Sequence, residues 1–101
     1  MNFFTPAQHP EPGNETFETL YRSPNVQIER IASNRLEKGE WYDQDHDEWV
    51  MLARGTARLE YAGGEEVALG AGDMQLIPAG KRHRVLESSG DALWLAVHVR
   101  G

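Results

Sequence analysis

The chain has 101 residues and no cysteine, with a formal net charge of -6. That length supports one domain with one core. The charge weighs against nucleic acid as a partner, and none is expected, because phosphate binding needs concentrated Lys and Arg, and here only the short "GKRHR" is basic. Disulfides and thiolate metal sites are excluded with the cysteines. No apolar run approaches the length of a membrane span, and the start "MNFFTPAQHPEPGNETFE" lacks the features of a signal peptide, so a cytoplasmic protein is expected.

Residues 1–24 are rich in Pro, Gly, Asn and Glu and show no sustained periodicity. They read as an extended arm with at most a short strand or turn. Phe3, Phe4, Phe17 and Leu20 give it apolar surface to dock on the body or on a second subunit, and residues 25–101 form the domain. "VQIERIASNRL" alternates Val26 and Ile28, then resumes at Ile31 and Leu36 after a slip, which predicts a strand with a bulge. "EWVMLARG" is a largely buried strand ending at Gly55. "TARLEYAGG" alternates and closes on Gly63-Gly64, a hairpin signal. "EEVALGAGD", "DMQLIPAG", "RHRVLESSG" and "ALWLAVHVR" complete a train of short strands. No window holds a helical stripe, so an all-β sandwich or barrel is predicted.

Two spacings are more specific than the rest. Gly72 is followed by five residues, Pro78-x-Gly80, two residues and His83; Glu48 is followed by six residues and Gly55. In this order and separation they resemble the two signature motifs of the cupin family, over roughly Ile28 to Val99. The resemblance implies a single-domain jelly-roll β-barrel in which Pro78 and Gly80 shape a turn that aims His83 inward. It also implies a barrel-interior site and chemistry of dioxygenase, isomerase, epimerase or decarboxylase type.

The match departs from the family in several places, the misplaced Gly39 among them. The first signature normally carries His-x-His ahead of the Glu, and this chain has Tyr42 and Gln44 there, or Trp41 and Asp43 in the longer spacing. The position of the family's late Asn is Glu87. Only Glu48 and His83 map onto the family's ligand positions. If "WYDQDHDEW" is a regular strand, Gln44, His46 and Glu48 share a face; a bulge would bring in Asp43 or Asp45 instead. His46, Glu48 and His83 would then make a two-His-one-carboxylate face for Mn, Fe, Ni or Zn. The competing reading is a solvated acidic loop with His46 outward. Gln44, Trp41, Glu87 and His98 are the candidate substrate contacts. Glu87 reaches the interior only if period two holds from His83, with Arg58 or the metal as its partner, and for His98 the competing reading is a structural imidazole bonded to a backbone group. Three functions follow: a metal-dependent enzyme, a metal-free module binding a small organic molecule, or a structural barrel. A homodimer is expected for any of them.

Overall fold

A computed structural model describes all 101 residues. The chain forms eight strands and no helix: β1 Asn14–Arg22, β2 Val26–Asn34, β3 Asp47–Arg54, β4 Thr56–Tyr61, β5 Glu66–Gly70, β6 Met74–Ile77, β7 His83–Ser88 and β8 Ala92–Val99. A five-stranded sheet in the order β1-β2-β8-β3-β6 faces a three-stranded sheet in the order β5-β4-β7, with every pairing antiparallel. This is the all-β barrel that the strand train predicted, in the jelly-roll form that the cupin resemblance implied. No helix is long and apolar enough to cross a membrane.

Alternation explains the core. Val50 and Leu52 of β3, Ala57, Leu59 and Tyr61 of β4, and Trp94 and Ala96 of β8 all project between the sheets and pack with Leu69, Ile77 and Ala92. Leu52 and Ala96 are fully buried; truncating Leu52 to Ala would cost about 2–5 kcal/mol. The β4–β5 hairpin turns on Gly63 and Gly64, both at positive φ. Gly55, at φ 85°, joins β3 to β4, and a Cβ there would strike the Ser89 hydroxyl and the Asp91 carboxylate.

Two expectations change. The slip expected in "VQIERIASNRL" is absent: β2 pairs with β8 in unbroken register from Val26↔Val99 to Ser33↔Ala92. Its apolar residues fall on both faces, with Ile31 toward the cavity and Val26 and Ile28 half-buried on the outer face. The bulge lies on β1 instead, where Leu20 is the extra residue between Thr19↔Glu29 and Tyr21↔Ile28. Within residues 1–24, β1 is an integral edge strand, and the preceding segment is held on the same chain. Arg30, 4% exposed, donates to the Asn2 and Phe3 carbonyls and grips Glu18 at 2.7 Å. Arg54 donates to the Phe4 carbonyl and stacks on its ring.

Candidate functional site

A cavity of about 230 Å³ lies between the sheets, walled by side chains from β1, β2, β3, β4, β6, β7 and β8 and from the loop before β3. Its polar wall consists of Glu15, Glu29, Tyr42, Gln44, Glu48, His83 and His98, set among Phe17, Ile31, Val50, Leu59 and Trp94. Three carboxylates and two imidazoles therefore face a space into which no Lys or Arg projects.

The turn after β6 aims His83. The Lys81 N–H bonds the Pro78 carbonyl, and Gly80, at φ 78°, donates to the Gln44 carbonyl at 2.7 Å. His83 and Tyr42 exchange both backbone hydrogen bonds, at 2.7 and 3.0 Å. The imidazole Nδ1 lies 2.9 Å from the Lys81 carbonyl, which fixes it as a donor and leaves Nε2 3.5 Å from Glu48 Oε1. Burial by itself would push this imidazole down. The Glu48 contact, the Lys81 carbonyl and the charges of Glu48 and Asp43 together outweigh burial and hold it above its ordinary value.

A second network crosses the cavity wall. Glu15 accepts from Tyr42 Oη at 3.3 Å and from Ser33 Oγ at 3.2 Å, and Ser33 Oγ in turn accepts from Trp94 Nε1. Burial raises the Glu15 carboxyl above its ordinary range despite these donors. Burial, with Glu15 beside it, likewise pushes Tyr42 up, so the phenol stays protonated and donating. Tyr42 stands where the family's first motif has a histidine; here that position supplies a hydrogen-bond donor to a carboxylate. Gln44 Oε1 is buried and without a partner, an acceptor that a ligand hydroxyl would satisfy.

Not every expected residue is brought in. Gln44, Glu48, His83 and His98 line the cavity, and His46 does not. The stretch before Glu48 is a loop, with β3 starting only at Asp47, so Gln44, His46 and Glu48 do not share a strand face. His46 turns to His98, with Nε2 2.9 Å from His98 Nδ1, and its Nδ1 meets Asp45 at 3.0 Å. Both ring nitrogens are committed. No three His, Cys, Asp or Glu side chains converge on a point that could hold an ion, so the donor set does not fit the expected His46–Glu48–His83 metal face. Trp41 lies outside the cavity, its ring 4.9 and 4.5 Å from the guanidinium carbons of Arg82 and Arg84. Glu87 is outside as well. Leu86 is an extra residue on β7, between Leu59↔Val85 and Arg58↔Glu87; the bulge reverses the parity set by His83 and sends Glu87 out to Arg58, 3.4 Å away.

Glu15, Glu29 and Ser33 were not anticipated. Their signal was a period-two row, Glu29, Ile31 and Ser33, opposite the more apolar row of Val26 and Ile28. Counting hydrophobic residues alone selects the wrong face as the inner one.

Comparison with known proteins agrees with this architecture. The family of the cupin domain matches residues 28–98. A protein of Ralstonia eutropha JMP134, provisionally described as a mannose-6-phosphate isomerase, is 36% identical over 100% of this chain and 97% of its own, with a TM-score of 0.88. KdgF from a Halomonas species is 20% identical over 100% of this chain and 93% of its own, with a TM-score of 0.81. A cupin superfamily protein of Desulfitobacterium hafniense DCB-2 is 19% identical over 91% and 83%, with a TM-score of 0.74; at such identities the likeness is one of fold. No curated protein matches by sequence.

Proposed function

The chain belongs to the cupin family, and we propose from that premise that its barrel binds a small, uncharged, polyhydroxylated carbonyl compound of about monosaccharide size and moves a proton on it, as an isomerase or epimerase does. The observation that carries this reading is the Glu48–His83 pair, 3.5 Å apart with both side chains 8% exposed, in the wall of a cavity with further hydrogen-bonding groups. The volume falls below the roughly 300–1,000 Å³ typical of sites for drug-sized ligands. The isomerase description of the Ralstonia protein supports the reaction class. The phosphate in that description is less suited to this cavity, since three carboxylates with no Lys or Arg among them would repel a buried phosphate.

In this mechanism Glu48 takes the proton from the carbon next to the ligand's carbonyl. The electron pair moves onto the carbonyl oxygen, which receives a proton from His83 Nε2. For isomerisation, Glu48 gives the proton to the former carbonyl carbon while the neighbouring hydroxyl gives its own to His83; for epimerisation, the enediol turns over, Glu48 returns the proton to the original carbon, and the oxygen returns its proton to His83. The raised pKa of His83 suits it to the donor's role. Gln44 Oε1 and the Tyr42–Glu15 pair hold ligand hydroxyls. Cupins commonly bind divalent metals; the residues here assemble no such set, and the proton steps are assigned to the protein's own groups.

The test is to incubate neutral aldoses and ketoses with the protein in D₂O and read deuterium at the carbon next to the carbonyl by NMR. Wash-in that Glu48→Gln abolishes is expected. Sugars that raise the melting temperature without any wash-in would make the protein a binding module instead.

The outer face of the five-stranded sheet supports the expected homodimer. Tyr21, Ile28, Val97, Trp49 and Leu76 form one row across all five strands by register. Tyr21, Met74 and Leu76 are more than half exposed, and pairing two such faces would cover them. A particle near twice 11.4 kDa in solution is expected; a monomer at tens of micromolar would refute it.

A further inference from the structure

His98 belongs to a chain of titratable groups that the mechanism above does not use. Asp45 Oδ1 meets His46 Nδ1 at 3.0 Å, His46 Nε2 meets His98 Nδ1 at 2.9 Å, and His98 Nε2 meets Glu29 Oε1 at 2.7 Å. Its two ends lie in different surroundings. The Asp45 side chain is 98% exposed, the two imidazoles are 8% and 9% exposed, and Glu29 lines the cavity. The chain therefore runs from bulk water through the wall of the five-stranded sheet into the site. Three consecutive contacts at hydrogen-bond distance, through two rings that each carry a donor and an acceptor, are what proton transfer requires. Contacts chosen only for stability would not need a second imidazole, because a backbone carbonyl suffices for His83.

We propose that Asp45, His46 and His98 form a proton relay that exchanges protons between solvent and Glu29 in the cavity. The proposal rests on the reading above only for the use made of the proton. The transfer balances. At rest, His46 Nδ1–H donates to Asp45, His98 Nδ1–H donates to His46 Nε2, and Glu29, as a carboxylic acid, donates to His98 Nε2. Outward passage moves the Glu29 proton to His98 Nε2, the Nδ1 proton of His98 to His46 Nε2, and the Nδ1 proton of His46 to Asp45, from which water takes it. Both rings end neutral in the opposite tautomer, Glu29 ends as a carboxylate accepting from His98 Nε2, and one proton has crossed. The reverse passage returns it. With a ligand stopping the cavity mouth, this route stays open through the wall.

The surrounding charges suit the entrance. The hydrogen bond from His46 holds the Asp45 carboxyl below its ordinary range, with Arg100 adding to the effect, so this exposed end stays anionic and passes on an arriving proton rather than keeping it. Asp47 is spent on the Ala79 N–H, and Glu48 pairs across the strands with His98 but directs its carboxylate to His83. His46 and His98 act as positioning and relay residues, and Glu29 is the group that would meet the ligand.

The experiment measures solvent exchange of the His98 ring N–H by NMR on ligand-free protein labelled with nitrogen-15 at histidine. Wild type should exchange fast although the ring is buried. His46→Gln keeps a side chain able to hydrogen-bond His98 but cannot gain a proton on one side and lose one on the other. Exchange should slow by about a hundredfold, the low end of what a positioned proton donor contributes. Exchange that is unchanged or faster would mean that protons arrive through the cavity mouth, and the relay would be wrong. Should His46→Gln not fold, Asp45→Asn, at a fully exposed position, reads the same path: slower exchange supports it and unchanged exchange overturns it. No ligand enters this measurement, so its outcome is separate from the deuterium test at Glu48.

Discussion

Two carboxylate–imidazole pairs face the same cavity, and they are wired differently. Glu48–His83 joins the two sheets; its imidazole ends on the Lys81 carbonyl, an acceptor that can orient a ring but cannot carry a proton away. Glu29–His98 lies within the five-stranded sheet, and its imidazole continues through His46 to solvent. The same residue types thus make a closed site that stores a proton beside the ligand and an open one that exchanges it. The group behind each imidazole decides which, as outer-shell partners decide the behaviour of ligating histidines elsewhere.

The largest effect should come from breaking the closed pair. His83→Ala is expected to weaken ligand binding at least about tenfold, and Glu48→Gln to lower turnover by about 10²–10⁴, with the fold intact by circular dichroism; equal loss on His98→Ala would erase the distinction between the pairs. For His98→Ala we expect a smaller loss of binding but a lower melting temperature, since Glu29 keeps its burial and loses its partner, at about 1–3 kcal/mol. The pH dependence separates the pairs further. The folded pKa of His83 is raised above its ordinary 6.5, so its stabilising contribution is full below that value and is lost as pH rises through the folded pKa. Urea unfolding of wild type should show this decline and His83→Gln should not; equal slopes would show the pair to be uncharged.

Glu15 makes a weaker contrast. Its pKa is also raised, from 4.5, chiefly by burial, so it too favours the fold at low pH and costs stability as pH rises through its folded value. Glu15→Gln keeps an oxygen for Tyr42 and Ser33 without the buried charge, and should raise the melting temperature at neutral pH while weakening ligand binding. A lower melting temperature would show the charge to be wanted for folding. The smallest effect is expected from chelation. EDTA should leave the melting temperature unchanged, and a fall restored by Mn or Zn would show that ligands regroup around an ion that the donors as placed do not hold.

The sequence by itself determined the class of fold and the anchor of the site. Short alternating runs punctuated by Gly63-Gly64, Pro78 and Gly80 can be satisfied only by strands and tight turns, a local signal that depends on φ preferences and on period two along a single strand. The spacings around Glu48 and His83 implied one interior for both through their resemblance to the cupin motifs. What only the tertiary structure decided is everything that depends on parity between strands. One extra residue at Leu86 turned Glu87 outward, and the loop before Asp47 released His46 from the face of Glu48. Glu29 and Glu15 joined the cavity because their strands pair in sequence with the β8 edge of the site, at separations of dozens of residues. A carboxylate on an alternating strand reads as solvent-facing until the imidazole or phenol that satisfies it is known, and that partner comes from another strand.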